Sequence, residues 1–304
     1  MSQLNVEPLI FDEPDSMLRM TVFGGQVRVM MCRTTRMAQK AADIHQASDV
    51  ATAAMGRVLP GTSMLSVMLK EEKSSITLTM AGDGPGGRVI CVGHGNNLKI
   101  TCDNPQVELP TIDGVRQDVA GFIGKNGRLS VVKDYGKGEP YTGSVQLVSG
   151  EVAEDLARYY KVSEQTPTIL ALGCLNQNGV VLSSGGILVQ TLPGCSDEVI
   201  IQLDNMLPFF AGISREIYDR SLKTLVTAWF RNMDLEILEE TPLFLHCDCS
   251  RDKMAAALIA TGKNELQKMI KDDKDMELVC WFCRVKCNFT PEDLTELLEK
   301  AVKA

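Results

Sequence analysis

Residues 246–251 read His246-Cys247-Asp248-Cys249-Ser250-Arg251, and residues 280–283 read Cys280-Trp281-Phe282-Cys283. A C-x-C pair and a C-x-x-C pair thus stand 30 residues apart in the last quarter of the chain. Four thiolates converging on one point make a closed, tetrahedral zinc site. Under oxidant the same sulfurs can pair as two disulfides. Cys247, Cys249, Cys280 and Cys283 are therefore the expected metal ligands, holding a single Zn2+ per chain in the reduced state.

These cysteines also govern how their own segment folds. Residues 242–304 are too few to enclose a strong core, and a unit of that size is marginal without a staple. Metal affinity then becomes folding free energy, on the order of 10 kcal/mol for a structural site. Thr290-Pro291-Glu292-Asp293 predicts a helix start: a capping threonine, proline at the first helical position and early acids. Asn264-x-x-Gln267 predicts a second start by a capping box. Between them, 277–289 reads as a hairpin whose turn is the C-x-x-C knuckle. Cys287 falls on the apolar face of its outgoing strand, in step with Val285 and Phe289. His246 is a spare imidazole beside four sufficient ligands, so a neutral surface or packing role is expected.

Working back along the chain, 199–240 is helical in pattern. It is rich in large apolar residues such as Phe209, Phe210, Trp229 and Phe230. Too short for a core of its own, it must pack on a neighbour. Ser196-Asp197-Glu198 opens it with acids in the first turn.

The first 195 residues read as one α+β domain on a largely antiparallel sheet. Residues 20–36 alternate like a strand. Residues 38–70 read as helix, broken or kinked at Pro60-Gly61. Ile76, Leu78 and Met80 mark a strand face, and Gly82–Gly87 a turn. Further short strands are expected at 89–92, 98–101, 129–133 and 144–147, and a helix at 151–160. Asn176-Gln177-Asn178-Gly179 signals a hairpin between 169–174 and 180–184. The expected organisation is an N-terminal domain at 1–195, a helical linker at 196–241 and a small zinc-binding α+β domain at 242–304.

Composition narrows the function. Net charge is −8, and residues 241–304 hold 10 Lys and Arg against 11 Asp and Glu. Without a basic stripe, neither nucleic acid nor an anionic membrane is an expected partner. The start carries Glu7, Asp12, Glu13 and Asp15 with no signal-peptide pattern, and no apolar run reaches membrane-spanning length. A soluble, cytoplasmic protein is expected. Of the ten cysteines, Cys32, Cys91, Cys102, Cys174 and Cys195 are scattered and read as small buried side chains. No Ser/His/Asp arrangement, phosphate loop or HExxH motif supports an enzyme.

The residues leave three readings open. One is a redox-triggered protein, the second a zinc-stapled interaction module without redox switching. The third is a thiol–disulfide oxidoreductase working through Cys280 and Cys283. A catalytic C-x-x-C of that last kind usually sits at a helix N-terminus.

The segment 246–251, the pair at 280–283 and Phe289 ahead of Pro291-Glu292-Asp293-Leu294 resemble the redox-regulated 33-kDa heat-shock holdase chaperones. The N-terminal part resembles the same family through Gly82-Asp83-Gly84-Pro85, 123–129, Tyr141-Thr142-Gly143, Ser163-Glu164-Gln165-Thr166-Pro167-Thr168 and Gln190-Thr191-Leu192-Pro193-Gly194. The match runs in order along nearly the whole chain. Departures are Cys287 in place of an aromatic residue, Arg251-Asp252-Lys253, Pro60 inside a helix and a longer start. The resemblance implies an ATP-independent holdase that is zinc-bound and inactive when reduced. It implies that oxidation forms Cys247–Cys249 and Cys280–Cys283, releases zinc and unfolds the switch domain and then the linker. The opened form would dimerise and hold unfolding client proteins.

Overall fold

The computed structural model describes residues 13–69, 71–272 and 274–303, so the acidic start at Glu7 and Asp12 lies outside the described residues. The chain divides into two compact units, residues 1–245 and 246–304.

The first unit opens with a hairpin, β1 (Ser16–Val22) and β2 (Val27–Arg33), where a single strand over 20–36 was expected. The missed turn is Phe23-Gly24-Gly25, all three at positive φ, which the two glycines adopt without strain. Helix α1 (Thr35–His45) follows, then α2 (Asp49–Val67), capped by Ser48 Oγ accepting from Ala51 N at 3.2 Å. The helical stretch breaks at 46–48 and not at Pro60, which sits inside α2. Proline gives no N–H to Gly56 O, the carbonyl four residues back. Ser184 Oγ donates to that carbonyl at 2.7 Å instead, so the helix continues. A side chain at Gly56 would collide with Cys174, so glycine lets α2 lie close on its neighbour strand. Sixteen of the nineteen α2 residues are buried, the pattern of a helix enclosed on all sides.

Antiparallel β3 (Ser75–Ala81), β4 (Arg88–His94) and β5 (Asn97–Cys102) come next, with Ile76, Leu78 and Met80 buried as expected. Short α3 (Val119–Ile123), β6 (Arg128–Asp134), β7 (Tyr141–Gln146) and α4 (Val152–Val162) follow. The hairpin of β8 (Thr168–Gln177) and β9 (Val180–Thr191) turns at Asn178-Gly179, both at positive φ. Then come α5 (Asp197–Ala211), α6 (Ile213–Asp219) and α7 (Leu222–Phe230).

Residues 236–245 correct the helical expectation for 199–240. They form β10 (Glu236–Pro242) and β11 (Phe244–Leu245). β10 pairs antiparallel with β1, and β11 pairs parallel with β5. The open edge of β1 supplies hydrogen bonds that override the helical spacing of Leu235 and Leu238. The strand orders are β10-β1-β2-β9-β8 and β11-β5-β4-β3-β6-β7.

Alternation in β1 and β2 splits the packing into two cores. Met17, Met30 and Cys32 face the first, which also takes α1, α2 and the inner residues of the six-stranded sheet. Leu18, Met20, Val22, Val27, Val29 and Met31 face the second, where Leu203, Phe210, Ile217, Leu225 and Phe230 of α5–α7 cover them. Buried Arg33 fixes this cover. Its guanidinium donates to Ile217 O at 2.8 Å and Arg220 O at 2.7 Å, capping the C-terminal end of α6.

The second unit holds α8 (Arg251–Ala260), α9 (Lys263–Lys271), the hairpin β12 (Met276–Val279) and β13 (Lys286–Phe289), and α10 (Pro291–Lys303). The α10 start is as expected: Thr290 Oγ1 accepts from Asp293 N, and Asp293 Oδ2 from Thr290 N at 2.9 Å. The capping box at Asn264 is not used. α9 starts at Lys263, with Gly262 at its N-cap and Asn264 already inside the helix. The fold is α+β throughout.

Candidate metal centre

Cys247 and Cys249 lie in the loop that ends at Ser250, the N-cap of α8. Ser250 Oγ accepts from Lys253 N at 3.2 Å and so fixes where the loop becomes helix. Cys280 and Cys283 form the knuckle between β12 and β13. Cys280 N donates to Val285 O and Arg284 N to Cys280 O, both at 2.9 Å, and Arg284 takes a left-handed conformation. This is a hairpin turn, not a helix N-terminus, which removes the usual setting of a catalytic C-x-x-C.

The four Sγ atoms all lie within 4.8 Å of one another. Cys247 and Cys280 Sγ are 3.7 Å apart, and Cys249 and Cys283 Sγ 3.2 Å. A tetrahedron of sulfurs about 2.3 Å from zinc has edges of roughly 3.8 Å, so the cage fits the ion. All four cysteines are half-buried, and neighbouring Trp281 is 61% exposed. Burial pushes the Cys247 thiol up. The hydrogen-bonded Cys283 thiol, then burial, pushes Cys249 up. Burial acts the same way on Cys280, but the Cys283 and Phe282 N–H groups and the adjoining thiols outweigh it and lower its pKa.

Around the cage the apolar core is small: Met254, Leu258, Leu266, Phe289, Leu294 and Leu297. Arg251 ties it together. It donates to Asn288 O, pairs with Asp293 at 2.8 Å and lies 4.4 Å over the Phe289 ring. This clamp joins α8, β13 and α10. Cys287 is half-buried against the same core, whereas Val285 is 52% exposed, so the expected three-residue apolar face is incomplete. His246 is exposed and lies outside the sulfur cluster.

The scattered cysteines differ in chemistry. Cys32, Cys91 and Cys102 are buried, and Cys174 is half-buried. Burial raises all four, Cys91 and Cys174 to about 12 and Cys102 to about 11. They stay protonated at neutral pH and are poor nucleophiles. Among the described residues, no helix is long and apolar enough to cross a membrane.

Comparison with known proteins agrees with this architecture. The family model described as Hsp33 protein matches residues 15–290. The 33 kDa chaperonin of Acetivibrio thermocellus is 39% identical over 288 residues, covering 94% of this chain and 97% of the relative. That of Ruminiclostridium cellulolyticum is 37% identical over 291 residues, covering 95% and 99%. The crystal structure of the 33 kDa chaperonin of Thermotoga maritima superposes with a TM-score of 0.87 at 32% identity, covering 96% of this chain and all of that one. The chain belongs to the Hsp33 family and is a chaperone, not an enzyme.

Proposed function

We propose that this chaperone is an ATP-independent holdase switched on by oxidation of Cys247, Cys249, Cys280 and Cys283. The observation that carries the reading is the convergence of these four sulfurs in a 59-residue unit whose buried apolar core has six described members. When bound, zinc supplies the crosslink that such a core lacks and keeps the thiolates deprotonated. The reduced, metallated form is folded and inactive.

Oxidation removes two electrons from each thiol pair. Hydrogen peroxide accepts them, and each equivalent leaves as two waters. The pairing carried over from the family resemblance is Cys247–Cys249 and Cys280–Cys283. The cage also holds Cys247 near Cys280 and Cys249 near Cys283, so peptide mapping of the oxidised chain decides the pairing. With its ligands consumed, the unit at 246–304 loses the ion and unfolds. The stretch 196–241, helical over α5–α7 and a sheet strand over β10, then leaves the sheet.

Its departure uncovers eight apolar residues of β1, β2 and β9, together with the ten that α5–α7 bury against them. Ile201 and Phe209 of α5 are already 61% and 60% exposed. A surface of this size suits unfolding client proteins and a second copy of the opened chain. The working compartment is the cytoplasm, where thiols stay reduced until stress.

The test measures zinc and client aggregation together. A chelating dye should record about one zinc per chain released by peroxide with mild heat, and only the treated protein should suppress aggregation without nucleotide. Equal suppression before and after oxidation rejects the switch and leaves a zinc-stapled module.

A further inference from the structure

The first unit contains a polar cavity of about 290 Å³ that has no part in the sulfur chemistry. It lies at the end of the inward-facing row of β2, where Cys32 and Met30 are followed by Arg28 on the same face. Arg28 is held by its cross-strand neighbour: Gln190 Oε1 accepts from Arg28 Nη2, and Gln190 Nε2 donates to Thr168 Oγ1 at 2.8 Å. One donor of the same guanidinium, Nε, is buried without a protein partner. The hydroxyl of Tyr160, a residue only 3% exposed, is likewise buried and unpartnered. Both residues line the cavity. Two buried, unanswered donors on one small cavity are unusual, since each costs about 1–3 kcal/mol.

The other charged groups among the described residues of the wall are accounted for. Lys133 Nζ pairs with Glu164 at 2.6 Å, and Tyr159 O–H donates to the same carboxylate. Glu71 is exposed at the rim. With Lys133 and Glu164 neutralising each other, Arg28 is the cation that remains on the wall among the described residues. Burial keeps Tyr160 protonated, hence a donor. Leu65, Met68 and Leu69, from the end of α2 and just beyond it, complete the wall with apolar surface.

We propose that this cavity binds a small carboxylate with a short aliphatic body, its oxygens on Arg28 Nε and the Tyr160 hydroxyl and its carbons against Leu65, Met68 and Leu69. The volume sits at the small end for ligand pockets, which matches a metabolite-sized acid and not a peptide. An arginine gives a carboxylate directional donors as well as charge. No lining residue comes from α5–α7 or from the cage, so binding is independent of the switch.

The test uses the full, zinc-loaded chain with acetate, butyrate and 4-methylvalerate at constant ionic strength, followed by calorimetric titration and thermal unfolding. Saturable binding that strengthens from acetate to the longer acids is expected. Tyr160→Phe should weaken it about ten- to a hundredfold, the loss of one charge-assisted hydrogen bond, and should leave ligand-free stability equal or higher. Arg28→Gln should abolish it. Three results would overturn the proposal: no saturable binding of any acid, equal binding of butylammonium, or unchanged affinity in Tyr160→Phe. A ligand-free Tyr160→Phe protein that is less stable would also reject it, because the hydroxyl would then already be satisfied by solvent.

Discussion

The two units solve the same problem by different means. Residues 13–245 bury 38 apolar residues in one core and 18 in another, enough for burial to hold the sheets without crosslinks. The second unit has six among its described residues, and its four cysteines at 247, 249, 280 and 283 converge on one cage. Cysteines follow the same division. In the first unit burial raises the thiols of Cys32, Cys91, Cys102 and Cys174 and makes them inert. In the second, four half-exposed sulfurs stand close enough together to hold one ion.

Removing the ion separates the units most strongly. Chelation, or Cys280→Ser, should withdraw on the order of 10 kcal/mol from the second unit alone. Hydrogen exchange by mass spectrometry should then show protection lost over 246–304 and retained in β3, β4 and β6. Protection retained in both units would mean that the small core suffices.

Matched substitutions sharpen the contrast. Phe122→Ala and Phe289→Ala remove equally buried rings, each costing about 3–5 kcal/mol. In the first unit the loss appears as a lower Tm. In the second, on the proposal that folding and metal binding are one event, it should appear as a hundredfold or greater loss of zinc affinity. Unchanged zinc affinity in Phe289→Ala would show a unit that folds without its metal.

Arg33→Met tests the boundary inside the first unit. It removes two charge-assisted donors from Ile217 O and Arg220 O, at a cost of about 2–4 kcal/mol. Amides of 213–230 should exchange faster, and less oxidant should be needed for activity. If exchange there is unaltered, the arginine does not hold the helical cover.

The smallest effect concerns pH. Burial, opposed by the Met37 and Arg36 N–H groups and the neighbouring arginines, raises Asp15 to about 6. The folded state therefore holds this proton more tightly than the unfolded chain. The resulting stability is complete below about pH 4 and is lost as pH rises through 6, by about 2–3 kcal/mol. Asp15→Asn should flatten that slope in the first unit. An identical slope in the variant would assign it to other groups.

The sulfur cage was legible because ligand spacing is local, and β3 to β7 because alternation is local. The misreadings are places where a distant residue decides. Pro60 does not break α2 because Ser184, 124 residues later, answers the carbonyl that proline leaves free. Leu235 and Leu238 have helical spacing, but the unpaired edge of β1 draws 236–242 into a strand. Gly262 displaces the capping box at Asn264 because the chain must turn between two short helices. The Arg33 cap and the Arg251 clamp were invisible for the same reason: a lone arginine in sequence says nothing about which carbonyl or ring it will meet.

Zinc content, thiol state and aggregation suppression followed in one sample through a peroxide titration test the central claim most directly. The account predicts that loss of the ion, oxidation of Cys247, Cys249, Cys280 and Cys283, and onset of client protection rise together. Full protection while those four sulfurs remain reduced and metallated would contradict it.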